Sequence, residues 1–318
     1  MTNTLIIIVK GNNMTTSHLE HFLSAPVHHE QVGQNTIAYR KFGKGPVLLM
    51  IHGWPLCGAT YRFLIPTLQQ HFTCIVPDSP GLGNTKWQND EDLKFPAQAN
   101  TFKQFMHQIK ASKYHLLAHD TGATIARILA AEDDKNVQSL VLLNTEIMNH
   151  RPSPLPLYQA LFRIPGASWA FKQLLKSKTY VKSSLGFSGC FYDNRLINDE
   201  FYQLYIQPLI SNKAKRLGAL SYLNAIDWNL VDQLDTTHQA IKAPLKLIWG
   251  TEDPFFPLEN ARTLIGLSPR CNGMVEIEKT ALMAYEEQPE KVLDAAFEFW
   301  GKHDIIKVDQ KTEALAMA

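Results

Sequence analysis

The sequence has few cysteines, no long apolar run and almost no net charge, and each shortage excludes a class of protein. The 4 cysteines among 318 residues lie far apart, without metal-ligand spacing. Disulfide scaffolds are small and cysteine-dense, so we expect reduced thiols and a cytoplasmic protein without a metal or cofactor. No stretch approaches the roughly 18 apolar residues that cross a bilayer, and a formal charge of +1 favours neither nucleic acid nor an anionic membrane. The expected partner is a small-molecule substrate, and the oligomeric state stays open.

The chain begins with an apolar run at residues 5–9. This run is too short for the hydrophobic region of a secretory signal and lacks a preceding positive charge. Met14 follows soon after. We therefore expect residues 1–13 to be a dispensable extension or an upstream misread start, and we assign residues 1–25 to an N-terminal extension.

Short apolar strands alternate with helical segments along most of the chain. Buried strands are predicted at residues 46–51, 72–76, 114–118, 139–143, 245–249 and 274–278, an edge hairpin at 27–42, and helices at 59–70, 97–110, 258–267 and 289–302. Between these two halves the pattern is helical only and is interrupted by prolines. The prediction is an α/β fold: a mostly parallel twisted sheet with flanking helices (26–146 and 236–302), a helical cap domain (147–235) and a C-terminal tail (303–318).

One abrupt junction organises the chain chemically. The apolar run 114–118 passes almost without a loop into a helical pattern that begins at Thr121, and Asp120 lies at the join. So tight a bend strains its central residue and needs small neighbours, here Ala118 and Gly122. This is the pattern of a nucleophile elbow with Asp in place of Ser. The alternative is an ordinary turn in which Asp120 caps the helix.

Three motifs occur in order: His52-Gly-Trp-Pro55, His119-Asp-Thr-Gly122, and Trp249-Gly-Thr-Glu-Asp253 followed by Pro257. In this order and spacing the chain resembles the α/β-hydrolases of the haloalkane dehalogenase and epoxide hydrolase branch. The resemblance covers about residues 27–146 and 236–302. A single Asp-Thr-Gly sequence also begins an aspartic protease loop, but that chemistry needs two carboxylates that share a proton.

The resemblance implies a role for each of several residues. Asp120 would be the nucleophile, usable at neutral pH because the reference pKa of Asp is about 3.9. It would form an alkyl ester with the substrate. Backbone N–H groups of Trp54 and Thr121 would form the oxyanion hole. Asp253 would be the acid that orients a histidine, with Glu146 as an alternative acid.

The histidine itself is missing from the loop that should carry it. The loop reads Lys279-Thr-Ala-Leu-Met-Ala-Tyr-Glu-Glu-Gln-Pro289. The family's histidine falls at Leu282 in the commonest spacing and at Tyr285 in another. A tyrosine is a poor base at pH 7, since its reference pKa is near 10. His150, in the predicted cap, is a candidate to replace the missing catalytic histidine. His52 and His119 are interpreted as structural residues.

Two departures bear on the substrate. Dehalogenases of this branch usually have a halide-binding tryptophan after the nucleophile, whereas this chain has Thr121, and fluoroacetate-type relatives use arginines where Thr121 and Thr124 stand. Both departures are evidence against dehalogenation as the activity of this chain. Epoxide opening needs cap tyrosines as proton donors; the candidates are Tyr158, Tyr180, Tyr192, Tyr202, Tyr205 and Tyr222.

The resulting hypothesis is a hydrolase in which Asp120 attacks a small, largely apolar electrophile of alkyl halide or epoxide type. Because the histidine acts only in the second half-reaction, its loss should spare alkylation and slow ester hydrolysis. A catalytically silent ligand-binding homologue is the alternative. A lyase with Tyr285 as proton donor is a third hypothesis.

Overall fold

Eight strands of the chain lie in one sheet in the computed structural model, which describes residues 13–88 and 90–306. They are β1 (His28–Val32), β2 (Asn35–Phe42), β3 (Val47–Ile51), β4 (Thr73–Pro77), β5 (Tyr114–His119), β6 (Val137–Leu143), β7 (Leu245–Gly250) and β8 (Cys271–Ile277). Their order across the sheet is β1-β2-β4-β3-β5-β6-β7-β8. The β1–β2 and β2–β4 pairs are antiparallel, and all other pairs are parallel. The predicted mostly parallel α/β fold is confirmed.

Helices cover the sheet and fill the segment between β6 and β7. On the core they are α1 (Asn13–Ser24), α2 (Ile65–Leu68), α3 (Phe95–Gln108) and α4 (Thr121–Glu132). Those between β6 and β7 are α5 (Leu155–Phe162), α6 (Ala167–Lys176), α7 (Lys178–Val181), α8 (Asp199–Phe201), α9 (Gln207–Ser211), α10 (Lys213–Asn224), α11 (Trp228–Asp232) and α12 (Leu234–Ala240). The last are α13 (Leu258–Ala261), α14 (Ala284–Glu287) and α15 (Pro289–Lys302). We call residues 144–244 the helical insertion.

The central strands are buried on both sides because they are continuous apolar runs. All six residues of β5 are buried. In the parallel register Ile51 pairs with Ala118, and Ala118 pairs with Leu142. The strands therefore end at the same edge of the sheet, and the residues that follow them meet there.

Two local predictions differ from the structure. The helix expected over 59–70 is divided into a 3₁₀ turn, Gly58–Tyr61, and the short α2, which has a proline in its first turn. Part of the assigned N-terminal extension is packed on the core: Phe22 of α1 is buried, and its ring lies 5.4 Å from that of Phe42. Residues 1–12 and most of the predicted tail (307–318) lie outside the described residues.

The helical insertion contacts the core through buried polar groups. Arg62 of the core pairs with Glu200 of the insertion at 3.0 Å and with Glu286 at 2.9 Å. Trp54 donates its indole N–H to the carbonyl oxygen of Ala219 at 2.7 Å. These contacts hold the insertion over the carboxyl edge of the sheet. No helix in the described ranges is both long and apolar enough to span a bilayer.

Candidate active site

Asp120 lies in the bend between β5 and α4 with a backbone conformation that side-chain-bearing residues rarely adopt. Its φ is 52° and its ψ is −137°. The bend brings α4 against the end of β3: a Cβ on Gly122 would lie 2.4 Å from the carbonyl oxygens of both Ile51 and His52. The Asp120 side chain makes no capping hydrogen bond to α4. The geometry is therefore that of an elbow and excludes the simple helix cap.

Backbone N–H groups hold one side of the Asp120 carboxyl group. Trp54 donates its backbone N–H to Asp120 Oδ2 at 2.9 Å. The approach is close enough that a Cβ on Gly53 would lie 2.2 Å from the same oxygen. The backbone N–H of Thr121 also donates to the Asp120 carboxyl group. Both oxyanion-hole candidates, Trp54 and Thr121, are thus beside the candidate nucleophile.

The pKa of Asp120 in the folded protein differs from the reference value that the sequence analysis used. Burial raises the pKa of Asp120 well above its usual value, and the nearby Glu146 raises it further. Hydrogen bonds from the backbone N–H groups of Thr121 and Trp54 oppose this rise, because they favour the ionised form. A smaller share of Asp120 is consequently ionised at neutral pH than in an exposed carboxylate.

Asp120 and Thr121 line a mainly apolar cavity between the core and the helical insertion. Its walls include Trp54, Leu155, Phe171, Phe187, Phe255 and Leu282. Leu282, one of the two possible base positions, thus lies in the same cavity as the candidate nucleophile. No histidine is among the described residues that line it.

Tyr285, the other possible base position, lies outside the cavity wall. Its hydroxyl lies 3.1 Å from Nδ1 of His119 and 2.7 Å from Oγ1 of Thr60. Burial raises the pKa of Tyr285 well above its usual value, with the charge of Glu286 as the next cause. The Tyr285 hydroxyl is thus part of a buried hydrogen-bond network below the loop, and its predicted catalytic role stays a prediction.

The histidines considered as candidate catalytic residues form hydrogen bonds away from Asp120. His150 donates from Nε2 to the carbonyl oxygen of Phe255 at 2.6 Å and does not line the cavity. His52 accepts the backbone N–H of Ser79 at Nε2, at 3.0 Å, and its Nδ1 bonds the carbonyl of Gly53 at 2.9 Å. Both rings hold loops in place.

Asp253 follows β7 and is buried, and no cation among residues 13–88 and 90–306 pairs with it. Its Oδ2 accepts from Asn144 Nδ2 at 2.7 Å, and its Oδ1 accepts the backbone N–H groups of Phe255 and Phe256 at 2.8 and 3.1 Å. Burial raises the pKa of Asp253 to about 7, although these hydrogen bonds oppose the rise. Asp253 thus lies where the resemblance places the orienting acid, and it accepts hydrogen bonds from Asn144 and two backbone N–H groups. Sequence analysis missed Asn144, whose only signal was its position just after β6.

Glu146, the alternative acid, is held inside the core. Its Oε2 accepts hydroxyl hydrogen bonds from Thr124 at 2.7 Å and Thr145 at 2.9 Å. Glu146 is absent from the described residues that line the cavity. Its side chain affects Asp120 through its charge.

The structure separates the tyrosines of the helical insertion. Tyr158 and Tyr180 line the cavity; Tyr180 donates to the hydroxyl of Tyr158 at 2.9 Å, and Tyr158 donates to the carbonyl of Leu185. Tyr222 donates to Thr121 Oγ1 at 3.1 Å. Tyr205 bonds Glu286 at 3.2 Å, Tyr202 bonds a backbone carbonyl, and Tyr192 is 54% exposed.

Among the residues that the structure describes, no group of three or more His, Cys, Asp or Glu side chains is arranged to hold a metal ion. The 4 cysteines are free thiols.

Comparison with known proteins matches a family model described as "alpha/beta hydrolase fold" over residues 46–289. A cis-3-alkyl-4-alkyloxetan-2-one decarboxylase of Shewanella oneidensis is 25% identical over 237 residues, 70% of this chain and 72% of that protein. Haloalkane dehalogenase 2 of Mycobacterium bovis is 23% identical over 269 residues, 83% and 91% of the two chains. The epoxide hydrolase CorEH is a structural neighbour with a TM-score of 0.72 and 20% identity, covering 88% of this chain and 99% of its own. At this identity the structural likeness shows the fold alone.

Proposed function

The chain belongs to the alpha/beta hydrolase fold family, and from that premise we propose that Asp120 attacks a small, largely apolar electrophile of alkyl halide or epoxide type. The Asp120 Oδ1–carbon bond forms while the carbon–halogen or ring carbon–oxygen bond breaks, and the leaving atom keeps the electron pair. The product of this step is an alkyl ester of Asp120. Water attack on the ester carbonyl then releases the alcohol and restores the carboxylate.

The observation that carries the proposal is that Asp120 lines an apolar cavity while a backbone N–H group holds its carboxyl group. Oδ2 accepts the Trp54 backbone N–H at 2.9 Å. A carboxylate that faces an apolar cavity is less solvated than one in water, which makes it more reactive toward carbon. The Trp54 and Thr121 N–H groups would later stabilise the oxyanion that forms when water attacks the ester.

The second half-reaction lacks its usual base. Leu282 lines the cavity where a histidine would act, and Tyr285 is engaged with His119 and Thr60. General-base catalysis contributes about 10²–10⁴ in rate. The ester of Asp120 should therefore form faster than it is hydrolysed, and the protein should show single-turnover or slow behaviour.

Intact-protein mass spectrometry with a panel of alkyl halides and epoxides tests this. The expected result is one covalent adduct per chain, mapped to Asp120 by peptide sequencing and absent from the Asp120→Asn variant. Rapid repeated turnover without a trapped adduct would overturn the slow-hydrolysis proposal. Ligand binding that is equal in both proteins, with no adduct in either, would favour the silent binding homologue.

A second candidate reaction is the opening of an oxetan-2-one. This reaction consumes no water, so it does not need the base that is missing from the loop. Asp120 Oδ1 would bond the ring carbon as its carbon–oxygen bond breaks, which leaves a carboxylate on the neighbouring carbon. Loss of CO₂ from that carbon then forms the double bond and expels Asp120 as a carboxylate. The Shewanella relative is named as a decarboxylase of a dialkyl oxetan-2-one. Release of alkene and CO₂ from a dialkyl oxetan-2-one, in repeated turnovers, tests this reaction.

A further inference from the structure

Two hydrogen-bonded hydroxyl groups connect the helical insertion to the candidate nucleophile. Tyr222, in α10, donates its hydroxyl to Thr121 Oγ1 at 3.1 Å. Thr121 Oγ1 in turn lies 3.5 Å from Asp120 Oδ2. Thr121 lines the cavity, whereas Tyr222 is fully buried behind it. The Thr121 hydroxyl is thus placed between a buried donor and the site of reaction.

The geometry gives the direction of the first hydrogen bond, from the Tyr222 hydroxyl to Thr121 Oγ1. Burial raises the pKa of Tyr222 well above its usual value; the hydrogen bond with Thr121 opposes this rise, and the nearby Asp120 and Glu146 charges add to it. The phenol therefore keeps the proton that it donates to Thr121. Because a hydroxyl has one proton and two lone pairs, Thr121 Oγ1 accepts from Tyr222 and turns its own proton elsewhere. The remaining directions are the Asp120 carboxylate and the cavity.

Three other side-chain donors that line the cavity are already in use: Tyr180 donates to Tyr158, and Tyr158 donates to the carbonyl of Leu185. The third is Trp54, whose indole N–H donates to the carbonyl of Ala219 at 2.7 Å. A large, weakly basic halide gains little from a single hydroxyl donor. An alkoxide is a compact, strongly basic oxygen, and a charge-assisted O–H···O⁻ hydrogen bond is short and strong. A Thr121 donor therefore discriminates between leaving groups.

We propose that Thr121 is a catalytic residue that donates a hydrogen bond to the oxygen leaving group of a strained ring, and that Tyr222 positions it. The inference rests on the proposed function of Asp120 and narrows its substrates to cyclic ethers and esters over alkyl halides. As Asp120 Oδ1 bonds the ring carbon, the carbon–oxygen bond breaks and the electron pair stays on oxygen. Thr121 stabilises that oxygen anion, which is an alkoxide from a cyclic ether and a carboxylate from a cyclic ester. Water then protonates the alkoxide to the alcohol, and the hydroxide formed leaves to solvent.

The test compares two probes of equal chain length, a terminal epoxyhexane and bromohexane, in rapid-quench mass spectrometry of Asp120 ester formation. The quantity measured is the ratio of the epoxide rate to the bromide rate. Thr121→Val keeps the shape and removes the hydroxyl. It should lower the ratio at least tenfold, a smaller effect than the loss of one oxyanion-hole donor, which costs about 10²–10³. Thr121→Ser keeps the hydroxyl and should restore most of the ratio.

Tyr222→Phe should lower the ratio by a smaller factor, since the Thr121 hydroxyl remains but loses its orientation. Tyr205→Phe is the matched control: this tyrosine is equally buried in the insertion but bonds Glu286. It should keep the wild-type ratio. An unchanged ratio in Thr121→Val, with adducts still forming, would overturn the role of Thr121 alone. No adduct from either probe in the wild-type protein would overturn the proposed function as well.

Discussion

His119 Nε2 donates a 2.9 Å hydrogen bond to the carbonyl oxygen of Leu282. The residue before the nucleophile thus anchors the backbone of the loop that carries the base position. The other ring nitrogen, Nδ1, bonds the hydroxyl of Tyr285 at 3.1 Å. The Leu282 side chain lies in the cavity wall with Asp120. These bonds therefore hold the loop so that position 282 lies at the cavity wall, where the residue is a leucine and not a histidine.

Leu282→His should supply that base. We expect hydrolysis of the Asp120 ester to accelerate about 10²-fold, the low end of the contribution of a general base. The measurement is the decay of the adduct mass after a single alkylation. Leu282→Gln, which is polar but not basic, is the control and should leave the decay slow. Combining Leu282→His with Asp253→Asn should remove most of the gain; a full gain without Asp253 would contradict the assignment of Asp253 as orienting acid.

Asp253 should make the protein less stable as the pH rises toward 8. Burial raises its folded-state pKa to about 7, whereas the unfolded chain titrates near the ordinary Asp value of about 3.9. The folded protein holds this proton at about pH 5 and the unfolded chain does not. The stabilisation is full below about pH 4 and is lost as the pH passes through about 7.

The expected loss from Asp253 between about pH 5 and pH 8 is on the order of 2 kcal/mol in the free energy of unfolding. Urea denaturation at several pH values measures it. Asp253→Asn cannot titrate and should have a flatter profile over this range, whatever its absolute stability. Parallel profiles for the two proteins would show that Asp253 has an ordinary pKa.

Asp120→Asn should stabilise the fold while it abolishes ester formation. The substitution removes a buried carboxylate near Glu146, and the amide oxygen can still accept the Trp54 N–H. We expect a gain of about 1–2 kcal/mol at pH 8, as is common when a strained functional site is neutralised. Asp133→Asn is the matched control, because Asp133 accepts from Tyr114 at 2.7 Å and from Asn136 at 2.9 Å. It should destabilise the protein by about 1–3 kcal/mol.

The rate of Asp120 ester formation should increase with pH. Only the ionised carboxylate attacks carbon, and burial raises the Asp120 pKa well above its usual value. Alkylation measured with bromohexane between about pH 5 and pH 9 should therefore rise as the carboxyl group loses its proton. A rate that is constant over this range would mean that the N–H groups of Trp54 and Thr121 outweigh burial.

Gly122→Ala should damage the elbow itself. The added Cβ would lie 2.4 Å from two backbone carbonyl oxygens, those of Ile51 and His52, which cannot move without shifting β3. We expect a loss on the order of 3 kcal/mol in denaturant unfolding. Gly266→Ala is the control, since no atom lies within 4 Å of its added Cβ, and it should change stability by no more than about 1 kcal/mol. Equal effects of the two substitutions would contradict the close packing of the elbow.

Local pattern was enough to predict the sheet, the elbow and the missing histidine. Apolar runs of strand length, helical spacing after Thr121 and the small residue Gly122 are all properties of neighbouring residues. Because those features depend on only a few neighbouring residues, they can be predicted before the tertiary structure is known. The same kind of pattern was wrong where Pro66 divides the helix expected over 59–70 and where Phe22 packs onto the core.

The sequence by itself determined which acid stands at the bend and that no histidine occupies the expected loop. The tertiary structure alone decided that the Tyr285 hydroxyl turns to His119, that Asp253 is buried against Asn144, and that Tyr222 meets Thr121 across 101 residues. These outcomes depend on burial and on contacts between distant segments. Hydrogen-bond partners and pKa values follow from that environment, which neighbouring residues in the chain do not specify.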